Sequence, residues 1–167
     1  QWTISNGTCP SVSDEVIISQ DPVPTTANAG HDQTICSAST SFTGNTPVTG
    51  TGTWYLVSGT GSIVTPNSPS SIVNGLSIGT NVFRWVITNG TCNASADTVI
   101  IYRDPNPTTS NAGPDQTICS SSAMLSANIP AIGSGNWTLV SGTGTIISPG
   151  SPATSVSGLS IGPNLFQ

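Results

Sequence analysis

The sequence predicts an all-β protein built as a tandem array, and three observations predict it. The phrase NAGHDQTICS at Asn28–Ser37 returns as NAGPDQTICS at Asn111–Ser120. At an offset of 83 the chain overlies itself without a gap, and residues 1–84 match residues 84–167 at 48 positions. Apolar and polar residues alternate in short runs broken by Gly, Pro and Asn, with no helical period. A fixed internal period bears on architecture before any other feature, because each copy is one folding unit.

Taken in chain order, residues 1–22 read as the C-terminal part of a preceding copy, with Trp2 on Trp85 and Cys9 on Cys92. QDPVPTTANAG (Gln20–Gly30) and RDPNPTTSNAG (Arg103–Gly113) are the punctuation. Prolines spaced by one residue favour an extended path, hence a short stiff linker. Residues 25–104 form the complete copy, and 108–167 the N-terminal part of the next. Within the complete copy the strand-like runs are QTICS, STSFTG, GTWYLVSG, GSIVTP, SSIVNGL, NVFRWVIT and DTVIIYR. About seven strands in one period predict an antiparallel β-sandwich of immunoglobulin-like type. In NVFRWVIT, Phe83, Trp85 and Ile87 share one face and are predicted core. Trp54 is the natural partner of Trp85, and Trp137 recurs at the place of Trp54.

The phase of the array carries its own expectation. Gln1, Arg84 and Gln167 occupy one point of the period, inside a strand-like run, so these residues read as a window on a longer chain. The rival is a short subunit whose residues 1–22 complete the unfinished domain of a neighbour by strand exchange.

Composition narrows the function classes. Charged residues are 5% of the chain, against a usual quarter or so. There is no lysine, the only cations are Arg84 and Arg103, and the net charge is −5. Nucleic-acid phosphates require a basic face, and anionic lipid requires the same, so neither partner is expected. Ser, Thr, Asn and Gly keep the surface wet without charge, which suits an extracellular setting. No run of 18 apolar residues exists, so no membrane-inserting helix is expected.

Four cysteines at period-locked positions read as disulfides in an oxidising compartment. Zinc would need four clustered ligands, and each period offers two cysteines and no constant histidine. A Cys36–Cys92 bond would tie the first strand to the turn after the sixth and contribute about 4 kcal/mol by loop closure. Cys9 and Cys119 would then pair outside these residues or with a neighbouring copy. Absence of lysine excludes a Lys–Asn isopeptide brace.

No catalytic residue is predicted. His31, the only histidine, is replaced by Pro114 in the next copy and lies in a linker segment. The glycine clusters GTGTW and SGTGS lack the phosphate-loop lysine and a following helix. Asp21, Asp32, Asp104 and Asp115 recur at both junctions and are weak calcium candidates, since calcium wants six to eight oxygens. Asp and Asn serve more simply there as turn-formers. No metal and no cofactor are expected.

The phrases NAGxDQTIC, GTWxLVSGTG, PxSPxxxVxGLSIGxNxF and WxITNGTC resemble the PKD-like, immunoglobulin-like tandem repeats of giant Bacteroidota cell-surface adhesins, the SprB-type gliding-motility adhesins among them. The resemblance covers essentially the whole chain. It implies export by the type IX route, a bacterial cell-surface location and service as filament or stalk. It also implies a disulfide within one copy, from the DQTIC cysteine to the NGTC cysteine, here Cys36 to Cys92. Proteins of that kind carry O-glycans at Asp-Ser/Thr followed by a small apolar residue, so Thr98 in DTV is a candidate acceptor, whereas the preceding copy reads DEV at Asp14–Val16.

The leading expectation is therefore a structural segment of an adhesive rod. Its partners would be neighbouring repeats and, at its ends, surface polysaccharide or another substratum. Strands of about eight residues plus loops predict roughly 35–40 Å per repeat, and identical linkers would repeat one twist. Two alternatives stand beside it. One is a spacer or carbohydrate-binding accessory module of a secreted enzyme, with Tyr55 and Tyr102 as the only candidate sugar platform. The other is a sheath or surface-layer subunit polymerised by strand exchange.

Overall fold

A computed structural model describes residues 1–167. The chain is all-β and divides into two units, Gln1–Asp104 and Pro105–Gln167.

The first unit holds nine strands: β1 (Trp2–Ile4), β2 (Val12–Asp14), β3 (Gln33–Ile35), β4 (Ser39–Ser41), β5 (Thr51–Ser58), β6 (Ser62–Ile63), β7 (Ile72–Asn74), β8 (Gly79–Thr88) and β9 (Ser95–Arg103). Each of the seven runs read from the sequence of the complete copy overlaps one of the strands β3 to β9. One sheet has the order β3-β9-β8-β5 and a second the order β4-β7-β6, while β1 and β2 form a separate hairpin.

All pairings are antiparallel except one. β3 lies parallel to β9, with Gln33 opposite Ile101 and Ile35 opposite Arg103. This corrects the wholly antiparallel expectation. Strands joined by a tight turn must run antiparallel, but more than fifty residues separate β3 from β9, so their connection leaves either direction open.

Period-2 alternation decides the core. Along β8, Asn81, Phe83, Trp85 and Ile87 are buried, while Thr80, Arg84 and Thr88 are exposed. Trp54 lies opposite Trp85 on β5, with ring centroids 4.9 Å apart. Phe42 stacks on Trp54 at 4.0 Å and meets Phe83 edge-on at 5.1 Å. Val73 from β7, Leu76, and Val99 and Ile101 from β9 complete the cluster. The close approach of β5 to the Trp85 indole requires Gly52, because a Cβ there would overlap the ring.

The second unit holds β10 (Ser122–Ser126), β11 (Leu139–Ser141), β12 (Thr145–Ile146), β13 (Ala153–Ser157) and β14 (Leu165–Phe166). β10-β13-β12 repeats the order of β4-β7-β6, and β11 pairs with β14 as β5 pairs with β8. Val156 is fully buried and Trp137 nearly so. Beside Trp137 and Phe166 lies an open groove of about 420 Å³, which Ala112 and Pro152 also line. In the first unit, Trp85 fills the corresponding position against Trp54.

Equivalent residues differ sharply in exposure according to what surrounds them. Trp85 is 0% exposed, whereas Trp2, at the same point of the period in the β1–β2 hairpin, is 74% exposed. Ile87 and Ile4 show the same contrast, at 0% and 58%. The hairpin carries a core-forming sequence without the sheet that would cover it.

Candidate functional site at the linker junction

A polar constellation in the first unit joins the Asp21-Pro22 segment to the turn between β8 and β9. That turn is the phrase NGTC, Asn89–Cys92. Asn89 Nδ2 donates to the Pro22 carbonyl at 2.8 Å. The Thr91 backbone N–H donates to Asp21 Oδ2 at 3.0 Å, and the Thr91 hydroxyl reaches the same oxygen at 3.3 Å. The Cys92 thiol donates to the Asp21 carbonyl at 3.3 Å. Gly90 makes the turn possible, since its φ is +52° and a Cβ would collide with the Asp21 carboxylate. NGTC is thus a clamp on the chain entering the domain, seventy residues upstream.

The segment after the clamp is bonded to the domain as well. Thr25 Oγ1 accepts the N–H groups of Val48 and Thr49 at 2.9 and 2.8 Å, and Thr25 N–H donates to the Thr49 carbonyl. Ala27 N–H donates to Ser95 Oγ and Ala29 N–H to Asp97 Oδ2, both at 2.8 Å. Asn45 Oδ1 accepts the Asn28 N–H, and Asn45 Nδ2 donates to the Thr26 carbonyl. The second unit makes the same bonds from Thr108, with Ala131 and Ile132, and from Asn128, with Asn111 and Thr109. The segment that the sequence reads as leaving a short stiff linker at Thr25 is thus hydrogen-bonded to the domain it enters.

At the opposite end of the sheet, Asp104 N–H donates to the Ile35 carbonyl at 2.8 Å, extending the β3–β9 ladder by one residue. Arg103 reaches the Leu76 carbonyl at 2.7 Å and the Cys36 carbonyl at 3.5 Å. Cys36 therefore sits beside Asp104.

This placement corrects the Cys36–Cys92 pairing. Cys92 precedes the start of β9 at Ser95, and Cys36 flanks its end at Arg103. Eight residue steps of strand separate those ends by about 26 Å. A disulfide needs Cα atoms within about 7 Å. Cys9 and Cys119 are exposed, as is Cys36, while Cys92 is half-buried against Asp21.

The remaining candidates fall at separate places. Asp21 accepts from Thr91, and Asp32 Oδ1 accepts the Ile100 N–H at 2.8 Å, five residues into β9 and away from the clamp. The four junction aspartates do not converge, and no group of three His, Cys, Asp or Glu side chains lies close enough to hold a metal. His31 is exposed. Thr98 is exposed on the outer face of β9, opposite Arg84. Tyr55 lies opposite Arg84 on β5, whereas Tyr102 lies opposite Thr80, so the two tyrosines are offset along the sheet and form no continuous strip.

One organising residue escapes a reading of the sequence. Asn81 is fully buried. Its Oδ1 accepts from Thr60 N–H at 2.9 Å and Ser77 Oγ at 2.8 Å, and its Nδ2 faces the carbonyls of Ser77, Gly79 and Ile101. Asn164 does the same for Thr143, Ser160 and Gly162 in the second unit. Asn beside Gly and Thr suggests a turn, and only its recurrence inside SIGxNxF signals this role. No family model matches the chain, and no curated protein matches it.

Proposed function

We propose that this chain is a structural segment of an extracellular, cell-surface filament or stalk adhesin, in which immunoglobulin-like, PKD-like domains repeat every 83 residues. The observation that carries this reading is the clamp. Asp21 is held by the domain that follows it, through Thr91 and Asn89. Asp104, at the same point of the period, is held by the domain that precedes it, through Ile35. Where the period gives each junction aspartate both ties, the array has no free linker, which is what reach and stiffness require. A weakly charged surface with two arginines supports an extracellular setting rather than a nucleic-acid or anionic-lipid partner.

A second reading has its own support. The Trp2 hairpin is exposed and the groove beside Trp137 is open, features that short subunits polymerising by donation of residues 1–22 would use. The mass of the native polypeptide, with disulfides reduced, separates the two. Hundreds of kilodaltons is the outcome the single-chain rod requires. A value near the 16.8 kDa of these residues overturns it and leaves strand-exchanged subunits.

A further inference from the structure

Cys92 and Cys36 lie at opposite ends of one domain but against the same point of the period. The Cys92 thiol is 3.3 Å from the carbonyl oxygen of Asp21. Cys36 lies beside Asp104, whose N–H is bonded to the Ile35 carbonyl. Asp21 and Asp104 are period equivalents, each followed by proline. A residue before proline is held extended, and in an extended strand the N–H and C=O of one residue point to the same side. The Asp104 carbonyl therefore points to the side on which Cys36 lies. An NGTC cysteine that approached Asp104 as Cys92 approaches Asp21 would arrive on that side.

We propose that each junction of the array is stapled by a disulfide between the DQTIC cysteine of one period and the NGTC cysteine of the following period. Cys36 and Cys119 are the upstream partners of two such staples, and Cys9 and Cys92 the downstream partners of two others. The inference rests on the tandem-array reading and adds a covalent bond to the clamp. The bond forms by exchange with an oxidised protein dithiol. One cysteine thiolate attacks that disulfide and releases one of its thiols. The second cysteine thiolate then attacks the mixed disulfide at the sulfur of its partner. The staple forms, and the oxidant leaves as a dithiol carrying the two electrons and two protons.

The geometry has a mechanical consequence. A staple from one DQTIC to the next period's NGTC closes a loop longer than one period, so successive loops overlap and every peptide bond lies inside at least one. A single backbone cut then leaves the rod covalently joined. A bond within one period would leave Asn93–Ile118 outside any loop.

Disulfide mapping of the native protein tests this. After alkylation of free thiols and without reduction, cleavage before Asp and after Arg separates Cys36, in residues 32–84, from Cys92, in residues 85–96. The expected result is that the fragment 85–96 is joined to a DQTIC fragment other than 32–84, and that 32–84 is joined to an NGTC fragment other than 85–96. Recovery of 32–84 linked to 85–96 overturns the staple, and so does recovery of alkylated cysteines throughout. Neither result touches the array reading, which stands or falls on the reduced mass. In a polymer of short subunits, the same cross-links would join separate chains, which reduction would release at 16.8 kDa.

Discussion

Asp21 Oδ2 accepts the backbone N–H of Thr91 at 3.0 Å, joining two residues seventy positions apart. The bond fixes the chain where it enters the domain, and Gly90 is what allows the carboxylate to come so close. Truncating Asp21 to Ala should cost about 1 kcal/mol in urea unfolding of the chain, the usual net worth of such a bond. It should also raise amide exchange at Thr91 selectively. Unchanged exchange at Thr91 would show that the clamp is a passive contact.

Gly90→Ala tests the same clamp from the other side. The substitution strains a left-handed residue, costing roughly 1 kcal/mol or more, and pushes a methyl group into the carboxylate. Gly75→Ala, at φ +71° with open space around it, carries the strain without the collision. Gly90→Ala should therefore raise exchange at Thr91, and Gly75→Ala should not. Equal exchange in both variants would remove the steric part of the argument.

Asn81→Leu removes the side-chain partner of the part-buried Thr60 N–H and of the buried Ile101 carbonyl. Each orphaned group costs about 1–3 kcal/mol. Chemical denaturation should show a loss of at least about 2 kcal/mol, and Asn81→Asp, which keeps the acceptor but loses the amide donors, should lose part of it. A neutral Asn81→Leu would mean that water replaces the side chain.

Trp54 and Trp137 occupy the same point of the period but different surroundings. Trp54 packs on Phe42 and Trp85, whereas Trp137 borders an open groove. Trp54→Ala should cost about 3–5 kcal/mol, in the range of large core truncations. Trp137→Ala should cost clearly less, because fewer packed neighbours are lost. Denaturant melts of the two variants give the comparison, and equal losses would imply that the groove is filled in solution.

Gly52→Ala places a methyl group against the Trp85 indole, between a strand and a fully buried ring with no room to shift. Overpacking of this kind costs typically 1–3 kcal/mol. The near-ultraviolet tryptophan signal should change with the melting midpoint. A stable variant with an unaltered signal would mean that β5 moves freely away from β8.

The candidate site was legible only in pieces. Asp21, Asn89 and Cys92 each stand out by recurring at the period, but recurrence does not say which of them meet. The pairing depends on β3 joining β9 in parallel at its far end, and nothing local in DQTIC states that direction. The sequence reading put Cys36 in the first strand and Cys92 in the turn after the sixth, whereas Cys36 lies one residue past β3, at the far end of β9 from Cys92. Asn81 was invisible for a related reason. Its amide suits a turn as well as a buried network, and its four partner residues come from three separate segments.

What the sequence by itself determined is what local chemistry controls. Alternation with period two made Phe83, Trp85 and Ile87 one face, Gly, Pro and Asn ended the strands, and the repeat at offset 83 made both copies choose alike. Only the tertiary structure decided which ends come together. It set Cys92 on the entering chain and Cys36 on the departing one, because strand order and direction are long-range choices that thin, weakly charged runs leave open. It also decided burial itself, since Trp2 and Trp85 carry the same pattern and only Trp85 has a sheet to cover it.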